Sequence, residues 1–278
     1  MHDRRVSATA EQSWRGVDAG WGHAAVDVAS LHEPASCREY VALHHHLRVG
    51  PGDRMLDVAC GAGLAVELAT LRGATCAGLD ASARLVAIAR DRSPAADLRV
   101  GDMHELPWQD GCFDVVTSFR GIWGTTPEAL AEVHRVLAPG GRVGLTVWGD
   151  LRSSSGSWAL SPFRLATASQ REHNSAMVAL GQPGAGEALL ARYGFVDVRR
   201  VDVPCVWEFA DPEHFARAIA ATGPAYEALQ ASGEQAFREL ATSLATERLR
   251  DGLPLRAEIA VVGYVATRPG SDGAGWDG

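Results

Sequence analysis

The chain has 278 residues, 46% of them hydrophobic, which is enough for one large α/β domain or one domain with an insertion. Its 26 basic residues, all arginine, and 34 acidic residues leave a net charge of −8, and the absence of basic runs argues against a nucleic-acid partner. No apolar run approaches the roughly 18 residues that cross a bilayer, so we expect no membrane partner. The five cysteines are scattered, and the arginines near the N-terminus are not followed by an apolar core. These features predict a cytoplasmic protein that acts on a small molecule, and they leave open whether it forms a homodimer.

The first part of the chain is predicted to be helical. Residues 1–12 are polar and are expected to fray, whereas 13–48 have the pattern of helices. From residue 49 onwards, short strands rich in β-branched residues alternate with helices. Strands are predicted near 54–58, 74–79, 97–101, 113–118 and 141–148, and helices near 63–72, 82–92 and 127–137. This alternation predicts a parallel sheet with helices on both faces.

The pattern loosens after residue 148. Helices are predicted around 159–180, 185–193 and 211–250, the last broken at Gly223-Pro224, and strands at 195–209 and 256–268. We therefore predict one domain over 49–268 with helical insertions at about 150–185 and 205–250, followed by a disordered tail at 269–278.

The stretch LDVACGAGLAVELA (56–69) places Gly61 and Gly63 between a predicted strand and a predicted helix. Backbone N–H groups in such a turn can approach a nucleotide closely. The dinucleotide fingerprint G-x-G-x-x-G needs a third glycine, but Val66 stands there. Asp57 precedes the turn, where its carboxylate would repel a pyrophosphate and attract an ammonium group and a sulfonium. The turn therefore favours S-adenosylmethionine over a nicotinamide dinucleotide.

Two further acids end the second and third predicted strands. Asp80 can accept hydrogen bonds from both ribose hydroxyls. Asp102 can accept from the adenine amino group, with the Met103 backbone pairing the ring. Acids after three successive strands suit a nucleoside that carries cations better than they suit a dinucleotide.

Four segments in order, MLDVACGAG, GLDAS, VGDMHELPWQDGCFDVV and EVHRVLAPGGRVGLTVW, resemble the motifs of class I S-adenosylmethionine-dependent methyltransferases. They are most similar to the small-molecule branch that includes ubiquinone/menaquinone-type and natural-product enzymes. The resemblance covers roughly residues 40–150 in detail. It implies a Rossmann-like, seven-stranded, mostly parallel sheet whose last strand is antiparallel. Ala59 stands where many members have glycine.

The resemblance also implies where the cofactor is bound. Contacts are expected at the strand ends and the following turns, and from an N-terminal helical lid (1–48) that folds over the cofactor. The expected contact residues are Trp21, Asp57, Ala59, Gly61, Gly63, Asp80, Ala81, Leu85, Gly101, Asp102, Met103, Ser118 and Phe119. The product would be S-adenosylhomocysteine.

Methyl transfer is an in-line displacement that needs orientation and exclusion of water, and a general base only where the acceptor must lose a proton. His23 and His32, in the lid, are weak candidates for such a base. Arg120 could bind a substrate carboxylate through its guanidinium, with a surface salt bridge as the alternative. Trp123 and Trp158 could wall the substrate or simply pack in the core.

No metal site is predicted, although three histidines are adjacent at 44–46. Consecutive helical residues point about 100° apart, so these side chains cannot converge easily on one ion. We predict a methyltransferase acting on an O, N, C or S atom of a small, partly apolar metabolite, in secondary metabolism. The alternatives are a non-methylating cyclase or binding protein on the same fold, and a peptide or protein methyltransferase.

Overall fold

The computed structural model describes residue 14 and residues 16–123, 126–167 and 178–270. The predicted frayed start at 1–12, residues 168–177 of one predicted helix, and residues 271–278 of the predicted tail lie outside this part of the chain. Among the residues described, no helix combines the length and apolar character that crossing a membrane requires.

Seven strands form one sheet in the order β3-β2-β1-β4-β5-β9-β6. Its strands are β1 (Arg54–Val58), β2 (Thr75–Asp80), β3 (Asp97–Val100), β4 (Phe113–Phe119), β5 (Leu137–Trp148), β6 (Val196–Asp202) and β9 (Val261–Thr267). The first five are parallel, and β9 runs antiparallel to both β5 and β6. The predicted mostly parallel sheet with an antiparallel last strand is confirmed.

Helices surround this sheet, and strand β1 is covered on both faces. The α-helices are α1 (Val17–Trp21), α2 (Ala25–Asp27), α3 (Cys37–His46), α4 (Leu64–Leu71), α5 (Ala83–Arg92), α6 (Ala129–Val136), α7 (Ala185–Arg192), α8 (Pro212–Ala220), α9 (Gly223–Ser232) and α10 (Glu234–Arg250). A π-helical turn (Val28–His32) and 3₁₀ segments (Glu33–Ser36, Ser157–Leu165, Ala179–Gly181) complete the set. In β1 every residue after Arg54 is buried, as expected for a strand covered on both faces.

The prediction of one strand at 195–209 and another at 256–268 was wrong, because each forms two strands. Pro204 follows β6 and has no N–H for a ladder, so the chain leaves the main sheet and continues as β7 (Cys205–Glu208). β7 pairs with β8 (Arg256–Ile259) in a separate two-stranded sheet. At Ala260 the backbone bonds to Gly149 and to the Ser154 hydroxyl, which separates β8 from β9.

Of the helices predicted after residue 148, the one at 185–193 is present as α7, whereas the other two differ from the prediction. The segment 211–250 breaks before Gly223-Pro224, as predicted, and again at Gly233, whose φ of +86° ends α9. Residues Ser157–Leu165 form a 3₁₀ helix that contains Pro162, rather than an α-helix.

A second apolar core lies outside the main sheet. Helices α8–α10, the 3₁₀ helix Ser157–Leu165 and strands β7 and β8 form it around Trp207, Phe215 and Phe237. The described N-terminal residues 16–48, called the N-terminal segment below, lie between this core and the main sheet. In this segment, Trp21 packs against Gly223 at the start of α9 so closely that no Cβ would fit there.

Candidate functional site

The turn after β1 has the left-handed backbone that a close approach requires. Ala59, Gly61 and Gly63 have φ values of +62°, +55° and +84°. A Cβ at Gly63 would lie 2.8 Å from the Ala89 methyl, so glycine lets the start of α4 pack on α5. Alanine at 59 adopts a conformation that costs L-residues about 1–2 kcal/mol. Glycine at this position would avoid this cost.

Two buried carboxylates flank this turn. Asp57 is 2% exposed and accepts a hydrogen bond from the Thr117 hydroxyl at 2.7 Å. Burial, and to a lesser degree the charges of Glu33 and Asp80, raises the pKa of Asp57 to about 8. Asp80 is 7% exposed and accepts from the N–H groups of Gly61 at 2.9 Å and Ser82 at 2.8 Å. Asp80 therefore shapes the glycine turn, and each carboxylate oxygen keeps a lone pair for a ligand hydroxyl.

The loop after β3 continues this edge of the sheet. Gly101 donates its N–H to the Asp80 carbonyl. Asp102 is partly exposed and accepts from both the N–H and the Nδ1 of His104, at 2.9 and 2.7 Å. Met103 packs partly against the main core, and Leu85, in the first turn of α5, is buried. Ala81 lies half-buried between Asp80 and Ser82. The expected adenosine-side residues thus lie at the carboxyl ends of the neighbouring strands β2 and β3 and at the start of α5.

The N-terminal segment covers the turn and contributes an acid that the sequence analysis did not single out. Glu33 is 6% exposed and accepts from the Leu64 N–H, at the start of α4, at 3.3 Å and from Arg92 at 2.5 Å. Asp18 accepts from the Ser82 hydroxyl at 2.5 Å. Trp21 lies with its ring 6.5 Å from that of His32. Glu33 is 31 residues from Leu64, and no local spacing in the sequence signals that contact.

The end of β4 carries the next group of expected residues. Ser118 is fully buried and its Oγ has no hydrogen-bond partner. Phe119 packs edge-on between Tyr40 and His44 of α3, with ring centroids at 4.5 and 5.7 Å. Phe119 therefore also anchors α3, which the sequence analysis did not anticipate.

Arg120 forms a buried ion pair, not the surface salt bridge that was the alternative to a substrate contact. Its φ is +58°, and its side chain is 11% exposed. The guanidinium donates to Glu39 at 3.2 Å and to the Ser36 hydroxyl at 2.8 Å, and it lies 4.9 Å from the Trp148 ring centroid. Burial acts to lower the pKa of Arg120, but the Glu39 carboxylate outweighs it and keeps the guanidinium charged. The pair neutralises itself inside the protein.

The two candidate histidines differ in their partners. His23 is held by two backbone carbonyls, of Gly20 at 2.6 Å and of Ala220 at 3.1 Å. His32 is buried, its Nδ1 has no partner, and its ring lies edge-on to Trp207 at 5.2 Å. Burial, with a contribution from Arg120, lowers the pKa of His32 to about 3. His32 is therefore neutral near pH 7 and has a free nitrogen.

The remaining aromatic candidates, Trp123 and Trp158, lie in different surroundings, and Trp207 and Trp148 connect His32 with Arg120. Trp207 packs edge-on to Trp148 at 6.2 Å. The rings of His32, Trp207 and Trp148 therefore contact one another in sequence, and the Trp148 ring contacts Arg120. Trp123 donates its indole N–H to the Arg120 carbonyl. Trp158 lies in the second core against Phe215 at 5.1 Å, and its buried Nε1 has no partner.

The histidine run at 44–46 behaves as a helix face. His44 is buried, whereas His45 and His46 are exposed, so the His44 side chain points away from the other two. Within the described parts of the chain, no group of His, Cys, Asp or Glu side chains could hold a metal ion.

Known proteins resemble this chain over its cofactor half and in its fold. A methyltransferase-domain family model matches residues 56–145. An uncharacterized methyltransferase from Synechocystis is 34% identical over 147 residues, covering 51% of this chain and 68% of that relative. A 2-phytyl-1,4-naphthoquinone methyltransferase from Synechocystis is 43% identical over 108 residues, covering 35% of this chain and 45% of its own length. The YcgJ structure from Bacillus subtilis has a TM-score of 0.56 at 16% identity, covering 86% of this chain and 99% of that one.

The residues at the strand ends fit the family's cofactor. Asp80 presents acceptors for hydroxyls, the glycine turn permits close approach, and the buried carboxylates Asp57 and Glu33 suit a cationic ligand. The sequence match, the sheet order and this donor set agree, and the chain belongs to the class I S-adenosylmethionine-dependent methyltransferases.

Proposed function

We propose that the chain methylates a small, uncharged, partly apolar acceptor bound between the carboxyl ends of β4 and β5, the N-terminal segment and β7. The observation that carries this proposal is a set of buried polar atoms without partners at this place. They are His32 Nδ1, Ser118 Oγ and Trp207 Nε1. We call this region the acceptor chamber, defined by His32, Ser118, Arg120, Trp148 and Trp207.

Unpaired buried polar atoms are costly, at about 1–3 kcal/mol each. Such atoms are few in folded proteins, and each needs an explanation, of which a ligand contact is one. Here the His32 imidazole and the Trp207 indole meet edge-on, and the Ser118 hydroxyl lies near the end of β4. A ligand with its own donors and acceptors would satisfy these groups.

The walls of the chamber favour an acceptor with a ring or another flat apolar part. Trp148 and Trp207 meet edge-on, and both belong to or pack against the second apolar core. Aromatic side chains bury large apolar areas and prefer stacked or edge-on partners. An acceptor of this kind suits a secondary metabolite or a quinone-like compound.

The charge balance of the chamber argues against a carboxylate acceptor. Glu39 already neutralises Arg120, and Thr146 donates a further hydrogen bond to Glu39. Because the guanidinium is satisfied by Glu39, Ser36 and the Trp148 face, a substrate carboxylate would have to displace them. We therefore replace the carboxylate-binding hypothesis for Arg120 with a positioning role.

The bound cofactor would supply the electrophilic methyl group. The chain's own residues would orient the acceptor and exclude water, since a good alignment lowers the barrier by about 7–11 kcal/mol. His32 Nδ1 would bind a polar hydrogen of the acceptor, and Ser118 Oγ would bind a second polar atom. The lid role of residues 1–48 and the helical insertions at about 150–185 and 205–250 remain predictions.

All five cysteines are free thiols, of which Cys60, Cys76 and Cys205 are buried. Reduced thiols suit the cytoplasm, where we propose that the enzyme acts.

The test supplies S-adenosylmethionine carrying an isotopically labelled methyl group, with a panel of neutral hydroxylated naphthalenes, naphthoquinones and phenols. A peptide pool and simple carboxylic acids serve as the competing classes. We expect label in a neutral ring compound, and a loss of turnover in His32→Phe that His23→Phe does not share. Label only in the peptides or the acids would contradict the proposal. Stoichiometric cofactor binding with no labelled product would favour a non-methylating role.

A further inference from the structure

Glu33 places a third carboxylate on the glycine turn. It lies at the start of the 3₁₀ segment Glu33–Ser36, and its Oε1 is 3.3 Å from the Leu64 nitrogen. The same oxygen lies 3.5 Å from the place where a Cβ on Gly61 would be. The carboxylate therefore rests on the glycine turn where the cofactor is expected, and it comes from the N-terminal segment, not from a strand end.

The charges around this turn do not balance. Asp57, Asp80 and Glu33 are all buried, and Arg92 is the cation that contacts one of them. Arg92 also donates to the carbonyls of Ala62 and Ala29, so its position is fixed by several bonds. Within the described part of the chain, Arg92 pairs with Glu33, and no basic side chain contacts Asp57 or Asp80. Burial, and after it the charges of Glu33 and Asp80, raises the pKa of Asp57.

The cofactor and its product differ in charge at the sulfur. S-adenosylmethionine has a sulfonium, whereas S-adenosylhomocysteine has a neutral thioether, and the two share their ammonium, carboxylate and adenosine. A contact to a shared group affects both ligands equally. The electric field of a buried carboxylate acts on the charge at the sulfur, which the cofactor has and the product lacks. Coulomb energies at an effective dielectric of about 20 remain substantial over several ångströms.

We propose that Glu33 is a specificity residue that favours the cationic cofactor over its uncharged-sulfur product. The N-terminal segment thereby does more than cover the site: its carboxylate strengthens binding of the cofactor relative to binding of the product. This role concerns cofactor binding only and does not depend on the identity of the methyl acceptor.

The test measures dissociation constants by titration calorimetry for S-adenosylmethionine, S-adenosylhomocysteine and sinefungin, which carries an ammonium group in place of the sulfonium. In Glu33→Gln we expect the ratio of the product's to the cofactor's dissociation constant to fall about tenfold, equal to about 1.4 kcal/mol. The affinity for sinefungin should fall together with the affinity for the cofactor, and the affinity for the product should change by no more than about threefold. Equal weakening of all three ligands, or an unchanged ratio, would overturn the proposal.

Two further variants guard against a merely structural effect. Glu67 lies 3.5 Å from the other side of Arg92 and is 38% exposed, so Glu67→Gln removes a charge near Arg92 without touching the turn. In Glu67→Gln we expect the ratio of the product's to the cofactor's dissociation constant to equal that of the wild type. Arg92→Gln removes the compensating cation, and its ratio should rise; a fall would contradict the proposal even if Glu33→Gln failed to fold.

Discussion

Replacing Asp57 by Asn tests the electrostatics of the cofactor site without any ligand. The carboxyl is fully buried, and its pKa of about 8 lies far above its value of about 3.8 in an unfolded chain. Below pH 4 both states hold the proton. As the pH rises towards 8, the unfolded state loses the proton and the folded state retains it, so the stability falls.

The magnitude follows from this shift. Each pKa unit is 1.36 kcal/mol, so the raised pKa costs the folded protein on the order of 5 kcal/mol above pH 8. Asn keeps an oxygen for the Thr117 hydroxyl and does not titrate. Between pH 5.5 and 7.5 the stability of the wild type should therefore fall, relative to the variant, by about 2.7 kcal/mol.

Urea unfolding at several pH values measures this difference directly. His32 and His44 have pKa values lowered by burial to about 3 and about 4, and they titrate in the opposite sense, but they are present in both proteins and cancel. In a second readout, the variant should lose affinity for S-adenosylhomocysteine but retain its affinity for adenosine, which lacks the ammonium. Parallel stability curves for the two proteins between pH 5 and 8 would refute the reasoning.

Three other substitutions probe separate parts of the site. Asp80→Ala should abolish binding of S-adenosylhomocysteine in calorimetry while far-UV circular dichroism stays unchanged; normal affinity would disprove its ribose contact. Glu39→Gln leaves the buried Arg120 charge uncompensated and should destabilise the protein by about 3–5 kcal/mol in urea unfolding, whereas Glu67→Gln should change stability by less than about 0.5 kcal/mol. Gly121→Ala places a Cβ into the Ala59 methyl and should cost about 1–3 kcal/mol; adding Ala59→Gly should recover part of this loss, and purely additive effects would contradict the contact.

The sheet was predictable because its signals are local. The run RMLDV followed by a glycine turn, and the repeated change from β-branched strands to helices, are properties of neighbouring residues. The splitting of 195–209 into two strands was not anticipated, although Pro204 carried a warning. The separation of β8 from β9 depends on bonds from Gly149 and Ser154, which are over a hundred residues away.

The same distinction applies to the site. Asp57, Asp80 and Gly63 stand at fixed positions relative to strand ends, so their neighbourhood follows from the motif order. Glu33 and Glu39 reach the site through helical segments packed across the sheet, and their partners are 31 and 81 residues away. Only the fold brings these acids to the glycine turn and to Arg120.

The most direct measurement is the thermal unfolding midpoint with S-adenosylmethionine, S-adenosylhomocysteine, NAD and NADP, each in large excess. A ligand at 100 times its dissociation constant adds about 2.7 kcal/mol to the folded state, which gives a clear shift. We expect a higher midpoint with the two sulfur nucleosides and none with the dinucleotides. A shift with NAD or NADP and none with the sulfur nucleosides would contradict the assignment of the strand-end acids to S-adenosylmethionine.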